Sequence, residues 1–123
     1  MEYSRFQAIL MDEAEQIPDK FYDELNGGVI ISPELKYSPY AREQDLIIAG
    51  EYQYSSQTGC RIVIYYGSME RLYGYLDEEH LRVRIREVLR HELKHHVERL
   101  AGEHSLEDWD KAQLRHYLRE DDD

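Results

Sequence analysis

Leu81, Ile85, Val88 and Leu89 recur at helical spacing and lead directly into His91-Glu92-Leu93-Lys94-His95. This stretch, Leu81 to Leu100, constrains the fold most. Extending the same face at about 100° per residue brings Glu92, His95 and His96 to its centre, with His91 at one edge. Polar groups therefore stand where the core stripe should continue, and an ionisable group on a core face needs a partner or a metal. Histidines at i and i+4 project from neighbouring turns and can reach one Zn²⁺, while the glutamate between them is placed to take a proton from water. A chance HExxH in a chain of this composition is expected on the order of a few hundredths of the time, so its helical context decides. Arg82, Arg84, Arg86, Arg90 and Lys94 occupy the other side, which suits solvent. The competing reading is a polar helix whose histidines are satisfied by protein partners.

The rest of the chain limits what can surround that helix. At 123 residues there is room for one compact domain, read as residues 1–118, with residues 119–123 as an acidic tail. A formal charge of -11 opposes a nucleic-acid partner, because a polyanion is repelled by such a surface. A single cysteine, Cys60, excludes an internal disulfide framework and suits a reducing compartment. The acid-containing N-terminal stretch has no long apolar run, so neither a signal peptide nor a membrane span is expected, and the protein is expected to be cytoplasmic.

Phe6, Ile9, Leu10, Ala14 and Ile17 predict a first helix, with Ser4 as cap and Pro18 as stop, followed by a short helical turn over Asp19 to Leu25. Val29-Ile30-Ile31 reads as a short strand, and Ser32 to Gln44 as a surface loop. Leu46 to Tyr54 and Arg61 to Tyr66 predict an antiparallel hairpin, with Gly67 ending its second strand. The many tyrosines, among them Tyr52, Tyr54, Tyr65, Tyr66, Tyr73 and Tyr75, supply apolar area with a polar tip. One such hydroxyl reaching the metal site would be able to bond a developing oxyanion.

A catalytic zinc usually has three protein ligands, so His91 and His95 leave one to find. Ser105 and Asp108 have the form of a helix start, and a helix from Leu106 to Leu118 places Asp110 in the middle of its apolar face. If Ala101 to His104 folds that helix back, Asp110 is the best third ligand, its alternative role being a buried ion pair with an arginine. Glu98, His104 and Asp108 are its rivals, and His96 has the option of a supporting hydrogen bond.

The runs LRHELKHHVERLAGEHSLEDWD, IAGEY and RIVIYYGSMERLYG resemble the small bacterial zincin-like metallopeptidase family, the minimal zincins, from about Ile17 to Leu118. The resemblance implies an α+β fold, with a small, mostly antiparallel sheet packed against the HExxH helix and flanking helices. It also implies zinc on His91 and His95, Glu92 as general base, and peptide or protein substrates. Many members continue the motif as HExxHxxGxxD, whereas Glu98 and Ala101 occupy the last two places here. The glycine comes at Gly102, so the motif helix is expected to run a turn longer, and the resemblance supplies no third ligand. Two other readings are a metal-stabilised interaction module without turnover and, against the charge, a metal-dependent ribonuclease.

Overall fold

A computed structural model describes residues 1–40 and 46–103. Helix α1 (Tyr3–Glu15) buries Phe6, Ile9, Leu10 and Glu13, the i, i+3, i+4, i+7 stripe expected of a helix lying on a core. It starts one residue before Ser4, and Glu2 at its N-cap makes no side-chain capping bond, so the expected Ser4 cap is replaced by a plain helix start. Glu13 is almost fully buried yet paired, at 2.7 Å from the Arg86 guanidinium of the long helix, and Asp12 is paired with Arg82 beside it. These bonds fix α1 along that helix. Pro18 precedes the 3-10 turn Asp19–Tyr22, a shortened version of the expected turn.

Strand β1 (Val29–Ser32) lies parallel to β5 (Gly59–Tyr65), and β4 (Gly50–Ser55) lies antiparallel on the other side of β5. The hairpin expected from the sequence is the β4–β5 pair, with Gly50 opposite Ile64 and Ser55 opposite Gly59. Gly59 closes it at φ 87°, where a side chain would meet Asn26. Two expectations change here. Leu46 to Tyr54 is not one strand: β3 (Ile47–Ile48) breaks off at Ala49 and pairs with β2 (Lys36–Tyr37), which lies inside the stretch read as loop. Tyr66–Tyr73 is a helix, α2, rather than a strand end. Gly67 serves close packing within it, since a Cβ there would lie 2.7 Å from the Leu35 amide nitrogen.

Helix α3 (Glu78–Glu103) carries the motif and begins where Asp77 Oδ1 accepts the His80 amide at 2.9 Å. Its buried stripe runs Leu81, Ile85, Leu89, Leu93, Val97 and Leu100, against Ile62 and Ile64 of the sheet and the apolar face of α1. The helix continues through Ala101 and Gly102, so the expected fold-back connection does not begin at Ala101, and the extra turn is present. Among the described residues a helix layer thus covers one face of a small mixed sheet, the α+β arrangement expected from the sequence.

Candidate metal centre

The stripe on α3 advances mostly in steps of four residues, which rotates it by about 40° per step. That drift separates residues which the simple helical projection placed together. Glu92 and His96 are buried, at 7% and 0% exposure, whereas His95 is exposed on the flank of the helix rather than at the centre of its buried face, beside His91, which is exposed at the edge as expected. Leu93, not His95, continues the core.

The two flank histidines converge. Their Nε2 atoms are 3.2 Å apart and their rings meet edge to face at 89°. Two nitrogens bound to one tetrahedral zinc at about 2.0–2.1 Å would be separated by about 3.3 Å, so the spacing of the pair matches that of two ligands on one ion. Among the described residues no group of three His, Cys, Asp or Glu is gathered closely enough to hold a metal. Glu98 is exposed and joins no such group, and Asp110, His104 and Asp108 lie outside the described residues.

Glu92 sits beneath this pair against strand β4. Gly50 permits the approach: a Cβ on it would lie 2.8 Å from Val88 Cγ1 and 3.3 Å from Glu92 Cγ. Burial pushes the Glu92 carboxyl above its usual range, opposed by the nearby histidines and by a bond from the Tyr52 main-chain amide. Ile48, Gly50, Glu51, Tyr52, Glu92 and His95 line an open groove of about 520 Å³.

The register explains why Tyr52 can donate there. Ala49 accepts the Tyr65 amide, so Ala49, Glu51 and Gln53 exchange hydrogen bonds with β5 while Gly50, Tyr52 and Tyr54 turn theirs outward. Among the described residues β4 is the edge of its sheet on this side, so the outward groups flank the groove.

The Tyr52 side chain ties the same strand to α3. Its hydroxyl lies 2.7 Å from His96 Nδ1 and accepts Arg99 Nε at 2.8 Å, while His96 Nε2 lies 2.7 Å from the Asp23 carbonyl oxygen. A carbonyl only accepts, so Nε2 carries the proton and Nδ1 accepts from Tyr52. Burial lowers the His96 pKa and pushes Tyr52 up to about 12, which keeps both neutral. His96 therefore locks strand to helix. Composition gave no sign of this lock; its one sequence signal is the tyrosine of IAGEY together with the last histidine of HExxHH. Cys60 of β5 is a buried free thiol that donates to the Glu24 carbonyl oxygen at 3.0 Å and accepts Arg99 at 3.5 Å beside this lock.

On the opposite face of β4, Glu51 Oε1 accepts Gln53 Nε2 at 2.7 Å and the Tyr65 hydroxyl at 2.9 Å. The Gln53 bond is the main cause holding this carboxyl below its usual range. Among the described residues no helix is long and apolar enough to cross a membrane.

A family model described as zincin-like metallopeptidase matches residues 43–116. A solved structure of a conserved hypothetical protein from Thermus thermophilus is similar, at 29% identity and a TM-score of 0.71, over 84% of this chain and 100% of that one. No curated protein matches the chain.

Proposed function

The chain belongs to the zincin-like metallopeptidase family, and from that premise we propose that it is a zinc peptidase, with His91 and His95 as metal ligands and Glu92 as general base. The observation that carries this reading is the convergence of the two Nε2 atoms at 3.2 Å above a buried glutamate. When bound, zinc would supply a Lewis acid that polarises the scissile carbonyl and acidifies water towards neutrality. Glu92 accepts the proton of the attacking water and returns it to the leaving amine. Its burial makes it a stronger base than an exposed carboxylate, and the Tyr52 amide fixes the direction in which it accepts. An extended peptide lies along the outward edge of β4 and pairs its main chain with Gly50 and with the Tyr52 carbonyl, the Tyr52 amide being held by Glu92, which aligns the scissile bond beside His95.

Asp110 remains the proposed third ligand, on the strength of its place in the predicted Leu106 to Leu118 helix. The test is zinc content after metal-replete purification. About one zinc per chain is expected in the wild type, none in His95→Ala, and a sharply reduced content in Asp110→Ala. Full zinc in His95→Ala would remove the centre from these residues. Full zinc in Asp110→Ala alone would shift the third ligand to Glu98, His104 or Asp108. Zinc held without any turnover, and required for folding, would instead describe a metal-stabilised interaction module.

A further inference from the structure

We propose that Glu51 selects substrates carrying a lysine or arginine at the residue that pairs across the β4 edge from it. The inference rests on the peptidase reading and gives that site a substrate class. Glu51 lines the groove with Glu92 and His95, yet its position in the register makes its task different from theirs. Its main-chain groups bond inward to β5, opposite Val63, so on the outer edge it falls between the outward-facing Gly50 and Tyr52. A strand added antiparallel to that edge, the more stable pairing, bonds at Gly50 and at the Tyr52 carbonyl, the Tyr52 amide being held by Glu92. It therefore places one residue opposite Glu51 in a non-hydrogen-bonded pair. Such pairs bring side chains closest, with Cα atoms about 4.5 Å apart.

The side chain at that position is held ready. Both bonds to Glu51, from Gln53 and Tyr65, land on Oε1, and among the described residues no salt bridge reaches the carboxylate. Oε2 is left with no protein donor among them. Lys36 bears on it only through its charge, and its Nζ sits over the Tyr65 ring at 6.0 Å from the centroid. Gly50 and Tyr52 face α3, so substrate residues opposite them turn towards Glu92 and His95, and the residue opposite Glu51 turns to the other face. A cationic side chain there meets Oε2, and an acidic one meets a like charge.

The test is binding of zinc-loaded full-length protein to labelled peptides in which Lys, Gln or Glu is walked through each position, followed by anisotropy, with cleavage read on the same set. The expected result is one position at which Lys binds roughly fivefold more tightly than Glu, with the difference shrinking in high salt. Glu51→Gln, which keeps the acceptor for Gln53 and Tyr65, should flatten that preference, and Glu51→Lys should reverse it, at unchanged zinc content. A preference that persists in Glu51→Gln, or no preference at any position, overturns the assignment. Cleavage without charge preference overturns it and leaves the peptidase reading standing. Charge-selective binding without cleavage upholds the role of Glu51 and removes the peptidase reading. Failure of every peptide to bind overturns the assignment.

Discussion

Glu92 is a carboxylate placed where a core residue would otherwise stand, and its surroundings explain how that is tolerated. A buried carboxylate costs free energy unless something donates to it, and the Tyr52 amide does so from a strand edge on which every second amide faces outward. The absent side chain of Gly50 makes that contact possible. Val88, the nearest atom to a Cβ built there, is β-branched on a helix and has little rotamer freedom, so a methyl group at position 50 has to push strand and helix apart. Gly50→Ala is therefore expected to cost about 1–3 kcal/mol in denaturant unfolding and to lower turnover while zinc content is kept. A variant as stable and as active as wild type would show that the close approach is not needed. The glycine was visible in IAGEY as part of a pattern, but its function depends on a contact across the sheet that spacing along the chain does not encode.

At the scale of elements, periodicity was informative where each element is amphipathic and long. Helix α1, the motif helix and the β4–β5 hairpin stand where their apolar spacing put them. The two-residue strands β2 and β3 are too short for any period, and α2 was hidden because Gly67 reads as a breaker when it is a packing contact. The position of His95 was misjudged, because a stripe stepping by four residues winds around the helix and a straight projection does not follow it, whereas His91 stands at the edge where the projection put it. The start of α3 carries a pH-sensitive pair. The Asp77 carboxyl is held below its usual 3.8, first by the His80 amide and then by the His80 ring, and the same carboxylate raises His80 above its usual 6.5. The Asp77 contribution is present above its unfolded pKa and is lost as pH falls through the lowered folded value. The His80 contribution is complete below its unfolded pKa and is lost as pH rises through the raised folded value. The ion pair thus favours the folded helix most between those limits. Thermal melts should show wild type losing more stability than His80→Gln between pH 5.5 and pH 8.5, both values being about one to two units either side of an ordinary histidine. Parallel profiles for the two proteins would remove the pair from the stability of α3.

At the scale of the molecule, the described residues form a helix layer on a mixed sheet, and this arrangement places the outer edge of β4, a buried glutamate and two converging imidazoles about one groove. The acidic character of the chain belongs to this scale as well. With a net charge of -11, the surface disfavours polyanions and favours cationic ligands, in the same direction as the role proposed for Glu51 on the β4 edge. The α+β class and the zincin-like family were legible because the HExxH helix, the Gly-x-Tyr strand and the Ile-x-Ile-Tyr strand are each local patterns. The lock between Tyr52, His96 and Asp23 was not, because its members are brought together only by the fold. The most direct measurement of the central claim is cleavage of a mixed peptide library by wild type and Glu92→Gln at matched zinc content. The account predicts turnover in wild type and a loss of at least about a hundredfold in the variant, the usual scale of a general base, with the metal retained. Equal turnover in the two proteins would contradict it.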